Sequence, residues 1–167
     1  MVLGRRIKTE GTQNVTFKQI SDPQVKAMVV RQILEALPDW FAMEEGREQY
    51  IKESAEQLCI GAAEDDEYVG FLCLKETGKD TLELAVMGVL KEYHRRGIGR
   101  KLFRMAKVIA CENGYSFLQV KTVQMGKYED YDDTNRFYIS LGFKEFEVFP
   151  TLWDADNPCQ IYVMSVE

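Results

Sequence analysis

At 167 residues the chain has the length of one domain whose core is large enough to stabilise itself. Its composition, 46% hydrophobic and 29% charged, lies near the soluble average and argues against global disorder. The formal net charge of −6 speaks against a nucleic-acid partner, which demands a basic face.

Four cysteines, Cys59, Cys73, Cys111 and Cys159, contain no CxxC pair, and with His94 the lone histidine they form no zinc set. Their apolar surroundings predict buried, reduced thiols. Met1-Val2-Leu3-Gly4-Arg5-Arg6 lacks the apolar run of a signal peptide. No window approaches the ~20 apolar residues of a membrane span. The expectation is a soluble, cytoplasmic protein with no membrane partner and no metal.

Residues 1–13 are polar and aperiodic, a loose lead-in. Val15 to Ile20 alternates apolar and polar residues as a half-buried strand does. Ser21-Asp22-Pro23 starts a helix. Val25, Met28, Val29, Ile33, Leu34 and Leu37 continue it at helical spacing, and Pro38 ends it. After Trp40 and Phe41 comes a more polar helix from Glu44 to about Glu56. Leu58–Ala63 and Tyr68–Leu74 are two apolar runs around Glu64-Asp65-Asp66-Glu67, which reads as a hairpin with a solvated acidic turn.

Thr81 to Leu90 is a further strand and Gly97 to Asn113 a helix, stopped by Asn113-Gly114. Ser116–Val123 is a strand, Asp133–Leu141 a helix, Phe143–Phe149 a strand and Gln160–Val166 the last strand. The order βααβββαβαββ implies a single α/β domain, 1–167, around one mixed sheet.

Val86-Met87-Gly88-Val89-Leu90-Lys91-Glu92-Tyr93-His94-Arg95-Arg96-Gly97-Ile98-Gly99-Arg100-Lys101-Leu102 carries the chemistry. A strand runs through a basic, glycine-bearing loop into a helix start. Helix starts expose unpaired N–H groups and the positive end of the macrodipole, so they bind anions. Gly97 and Gly99 clear side chains from where a ligand meets backbone. The ligand predicted is a phosphate or pyrophosphate. A Walker A loop is absent, and Leu102 stands where a dinucleotide fingerprint needs its third glycine. An ordinary strand-to-helix turn with a solvated basic face remains open on spacing alone.

His94-Arg95-Arg96-Gly97-Ile98-Gly99 resembles the [QR]xxGx[GA] acyl-CoA signature of the GNAT family of N-acetyltransferases, with His94 in place of Gln or Arg. Phe137-Tyr138-Ile139-Ser140-Leu141-Gly142-Phe143 resembles the family's FYxxxGF segment, in the same order along the chain. The resemblance implies a mixed, mostly antiparallel central sheet flanked by helices. It also implies acetyl-CoA as co-substrate and transfer of its acetyl group to a primary amine by direct attack in a ternary complex.

By that resemblance, Met87, Gly88 and Val89 would meet the pantetheine arm, Met87 N–H polarising the thioester carbonyl. His94, Arg95, Arg96, Gly97, Ile98, Gly99 and Arg100 would wrap the pyrophosphate, with His94 a neutral loop contact rather than a base. Tyr138 would protonate the departing thiolate, a reading favoured over a core tyrosine beside Phe137 and Phe143. Asn135 would touch the cofactor or cap its helix.

The base is sought in Glu83, which alternation puts on one face with Ala85, Met87 and Val89 unless a bulge intervenes. The acceptor would enter between Leu37–Phe41 and Tyr128–Asp133, where carboxylates and aromatics suit a cationic amine. Asp132 or Asp133 would otherwise cap the following helix. A small-molecule amine or polyamine is favoured over a peptide lysine or N-terminus. Phe149–Asp154 would close the pocket or serve a homodimer. The alternatives are a catalytically silent CoA sensor and a nucleotide-binding protein.

Overall fold

The computed structural model describes residues 14–167, and the lead-in expected at 1–13 lies outside them. The elements run β1 (Val15–Ile20), α1 (Pro23–Glu35), α2 (Glu44–Ser54), β2 (Leu58–Glu64), β3 (Glu67–Gly78) and β4 (Thr81–Val89). A 3₁₀ turn at Lys91–Tyr93 leads to α3 (Ile98–Glu112), β5 (Phe117–Val123), α4 (Glu129–Leu141), β6 (Lys144–Asp154) and β7 (Asn157–Ser165). The sheet order is β1-β2-β3-β4-β5-β7-β6. Among the described residues only β4 and β5 pair in parallel. The mixed, mostly antiparallel sheet and the element order are those expected.

Each face of the sheet carries its own core. On one face α1 buries Val29, Val30, Ile33 and Leu34 against Cys59, Phe71, Cys73 and Val86. On the other, α3 buries Leu102, Phe103, Ala106 and Ala110 against Leu72, Leu84, Leu118 and Tyr162. Helical spacing of these apolar residues makes both helices stick to the sheet along one stripe. Asp22 starts α1 by accepting from Gln24 N (2.8 Å) and Val25 N (3.2 Å), with Pro23 in the first turn. The acidic hairpin turn is present, with Asp65 at φ 49° and Asp66 at φ 65°, the left-handed pair a two-residue hairpin needs.

Several boundaries differ from those expected. Helix α4 begins at Glu129, not Asp133, so neither Asp132 nor Asp133 is its N-cap. Asp132 instead folds back within the first turn to accept from Gly126 N (2.7 Å). Carboxylates at Glu129, Asp130 and Asp132 complement the positive end of the helix there. Strand β3 continues to Gly78 and β6 to Asp154, through exposed residues that no apolar alternation marks. Cys59, Cys73 and Cys159 are buried free thiols as expected, Cys59 facing Cys73 across β2–β3, but Cys111 is exposed on the outer side of α3.

Two irregularities in β4 open the sheet at one end of this strand. Its pairing with β5 covers only Thr81–Leu84 against Phe117–Val120. Beyond Leu84 and Val120 the two strands separate, leaving one edge of β4 open. The register with β3 also shifts between Leu74↔Leu84 and Cys73↔Val86, so Ala85 is an extra residue, a β-bulge. Leu82 and Leu84 therefore enter the α3-side core and Val86 the α1-side core.

Candidate active site

Beyond the bulge β4 pairs regularly with β3, and Leu90 N donates to Val69 O (2.9 Å). In an antiparallel ladder successive residues turn their N–H and C=O alternately to either side. Gly88 thus faces β3, while Met87 and Val89 present their backbone groups to the open edge. The Val89 carbonyl is already taken by His94, whose Nε2 lies 2.6 Å away and donates to it. His94 also meets Trp40 edge-on, with ring centroids 5.8 Å apart. It anchors the turn onto the strand end, a loop contact made to protein.

The loop after His94 folds into a concave run of amides. Arg95 has φ 61° and Gly97 φ 78°, two left-handed residues flanking Arg96. Alternation of this kind turns successive N–H groups inward as an anion nest. Gly97 caps α3 without a side-chain bond, and Lys101 N, on Gly97 O (3.1 Å), is the first amide of the helix with a backbone acceptor. The six amides from Arg95 to Arg100 have no backbone partner among the described residues. Six free donors at a helix start match a pyrophosphate.

The arginines are less uniformly engaged. Arg96 lies over the Tyr93 ring (4.9 Å) and Arg100 donates to Ser140 Oγ (3.1 Å). A Cβ at Gly99 would come 3.1 Å from Phe137 Cζ and 3.6 Å from Met87 Cε. Phe137 of α4, Met87 of β4 and the start of α3 therefore meet at one point. The two sequence motifs converge where the open edge reaches the nest.

Next to Phe137, Tyr138 is buried against Phe143 and Tyr162 (ring centroids 5.9 and 6.4 Å). Burial raises its phenol well above the usual tyrosine value, and repulsion from Tyr50 and Tyr131 adds to this. It stays protonated through the physiological range. Asn135 is fully buried and its amide is committed inside the protein. Nδ2 donates to Val123 O (2.9 Å) and Tyr131 O (2.7 Å), and Oδ1 accepts from Tyr162 Oη (2.6 Å). The expected cofactor contact is thus corrected. Asn135 satisfies a β5 carbonyl beyond the last β4 pair and does not cap α4.

The bulge also corrects the placement of Glu83. It lies on the face of Val86 and Gly88, opposite the side chains of Met87 and Val89. Its carboxylate is almost buried and pairs with Lys121 Nζ at 3.0 Å. Ala85 and Lys121 are the first residues past the last β4–β5 pair. At this fork opens a cavity of about 190 Å³ lined by Tyr50, Glu53, Lys75, Glu83, Ala85, Lys121 and Trp153. Tyr50 is raised above its usual value by burial first and by Glu83 next.

No local pattern marked Tyr50 or Lys121 as site residues, because they come from α2 and β5 and meet only in three dimensions. A larger cavity, about 310 Å³, between the end of α3 and β2–β4 shares only Lys75 with the fork and contains none of Tyr50, Glu83 and Lys121.

The two segments expected to admit the acceptor do meet. Trp40 Nε1 donates to Asp130 O (3.3 Å) and Tyr131 Oη to Trp40 O (2.7 Å). Their carboxylates are largely engaged elsewhere: Asp39 pairs with Lys91, Asp133 with Arg136, and Asp132 accepts from Gly126. Among the described residues no helix is long and apolar enough to cross a membrane, and no cluster of His, Cys, Asp and Glu could hold a metal.

The profile of the Acetyltransferase (GNAT) domain matches residues 55–145. No curated protein matches the chain by sequence. Solved structures share the fold at low identity. One is a GNAT-family protein from Desulfovibrio desulfuricans: 23% identity, TM-score 0.79, covering 92% of this chain and 99% of that one. The aminoglycoside 6′-N-acetyltransferase of Enterococcus faecium superposes with a TM-score of 0.70 at 18% identity, over 91% and 97% of the two chains. A GNAT acetyltransferase from Elizabethkingia anophelis with acetyl-CoA bound gives 0.67 at 16% identity, over 92% and 99%. The matched span contains the bulged strand, the nest and the FY segment of α4; the chain belongs to the GNAT family of acetyltransferases.

Proposed function

We propose that this acetyl-CoA-dependent N-acetyltransferase transfers the acetyl group to a primary amine by direct attack at the β4–β5 fork. One observation carries the reading: the open edge of β4 ends, after one 3₁₀ turn, at six partnerless amides before and within the first turn of α3. The amides of Arg95, Arg96, Gly97, Ile98, Gly99 and Arg100 hold the pyrophosphate. Met87 offers its N–H and carbonyl and Val89 its N–H to the pantetheine arm, with Gly88 between them turned to β3. Acetyl-CoA supplies the activated carbonyl, and no protein nucleophile is acylated.

Met87 N–H donates to the oxygen on which charge gathers, and one such donor contributes roughly 3 kcal/mol. Tyr138, kept neutral by burial, gives its proton to the leaving sulfur. An alkylammonium acceptor with a pKa of about 10.4 must lose a proton before attack. Glu83, at the fork, takes it directly or through water. The acceptor is a small amine.

Thiol release from acetyl-CoA across a panel of small amines and peptides, with calorimetric titration of CoA, tests the reading. Release should depend on the amine and fall about 100-fold in Tyr138→Phe, while CoA affinity stays within a factor of about two. Silence with every amine, alongside intact CoA binding, would make the protein a silent CoA sensor instead.

A further inference from the structure

The cavity at the fork pairs its charges. Glu53 and Glu83 face it from α2 and β4, Lys75 and Lys121 from β3 and β5. Lys75 stands directly across from Glu83 in the β3–β4 register, and Lys121 contacts Glu83 at 3.0 Å. Glu83 thus has a lysine on either side. A site for a polycation would need an excess of carboxylates, since each lysine repels an ammonium group at short range. Here two lysines balance two carboxylates. Of the acidic residues near the acceptor entrance, Asp39, Asp132 and Asp133 are engaged by Lys91, Gly126 N and Arg136, and Glu129 and Asp130 sit in the first turn of α4, outside the lining of the cavity.

Geometry narrows the acceptor further. Lys121 Nζ has three donors and spends one on Glu83; its side chain is 29% exposed, so its other donors reach the cavity. An ammonium next to Glu83 would place anything bonded close to it beside Lys121. A carboxylate in that position completes two opposed ion pairs. A neutral or cationic substituent would cover the remaining Lys121 donors without bonding them, which is costly. Tyr50 and Trp153 wall the remaining space with aromatic surface suited to an apolar side chain. At about 190 Å³ the cavity is smaller than the roughly 300–1,000 Å³ usual for drug-sized ligands.

We infer that the acceptor is an amine carrying a carboxylate close to the nucleophilic nitrogen, the chemistry of an α-amino acid, with Lys121 as its carboxylate anchor. The inference rests on the proposed acetyl transfer at the fork. The ammonium first gives a proton to Glu83. The freed amine nitrogen then bonds to the thioester carbon as the C–S bond breaks, sulfur takes the proton of Tyr138, and the second proton shed by nitrogen restores the phenol.

The test compares matched pairs that differ only in the carboxylate: phenylalanine with phenethylamine, leucine with isoamylamine, lysine with cadaverine. In the native enzyme the carboxylated member of at least one pair should have a kcat/KM at least tenfold above its partner. In Lys121→Gln that ratio should fall toward one, through a higher KM for the amino acid. Lys121→Arg, which keeps the cation, should retain the preference and shows that the loss is not one of folding. The inference is overturned if the decarboxylated amine is the equal or better substrate in every pair. It is overturned too if Lys121→Gln lowers both members of a pair alike. Failure of all amines to release thiol would remove the transfer reading itself, and this inference with it. Turnover of cadaverine but not of amino acids would leave transfer standing and remove only the inference.

Discussion

Asn135 ties together three elements that otherwise have no reason to stay apart at the correct distance. Its amide donates to the Val123 carbonyl of β5 and to Tyr131 of its own helix, and accepts from Tyr162 of β7. Where β4 no longer pairs with β5, the side chain supplies the donor that a neighbouring strand would have given. Replacing it with alanine orphans buried groups, each worth about 1–3 kcal/mol. Asn135→Ala should therefore lose about 3 kcal/mol of stability in urea unfolding, although it touches neither ligand. Early-helix asparagines usually cap or face a ligand, and nothing in the sequence shows that this one lies under a fork. Tyr138 shows the converse: FYxxxGF marked it, and burial supplies the protonated phenol its proposed role requires.

The approach to α3 is the element whose local sequence is most explicit and most sensitive. Gly97 has φ 78°, and a Cβ there would meet nothing within 4 Å. Strain alone then opposes a side chain. Gly97→Ala should cost about 1 kcal/mol, read as a lowered melting temperature, with no new clash to blame. Arg95 accepts the same left-handed region at φ 61° without being glycine. That strain sits where the amides must turn inward, in keeping with the nest it builds. β4 teaches the opposite lesson. Period two over Glu83, Ala85, Met87 and Val89 is a sound rule, but the extra residue at Ala85 reverses it. A bulge has no composition of its own, so alternation could not locate it. It puts Glu83 into the fork and the Met87 backbone on the open edge.

At the scale of the whole molecule, one buried phenol, Tyr138, and two half-buried ones, Tyr50 and Tyr131, come together from two helices. Burial first, then neighbouring phenols and carboxylates, raises Tyr50, Tyr131 and Tyr138; Tyr131 reaches about 12. A raised tyrosine binds its proton more tightly in the folded than in the unfolded chain. Its contribution is fully present below the unfolded value of about 10 and is lost as pH rises through the folded value. The melting temperature should therefore be insensitive to these groups between pH 7 and about 9.5 and fall steeply from about pH 10 to 12. Replacing Tyr131 with phenylalanine should flatten part of that fall. A profile already declining at about pH 8 would contradict the neutral-phenol arrangement.

The sequence by itself determined the element order, the mixed sheet, the basic glycine-bearing turn and the family. These come from local causes: apolar spacing, helix-start chemistry, glycines where backbone is bare, and two motifs in order. Helix α4's early start and the exposed far ends of β3 and β6 escaped it, since exposed residues carry no apolar periodicity to mark them. Tertiary structure alone decided how the pieces face one another. It separated β4 from β5 and set Glu83 between Lys75 and Lys121. It also drew Tyr50 from one helix to the same fork as Tyr138 from another. Those relations join residues far apart in the chain, and they arise only when both faces of the sheet are packed at once.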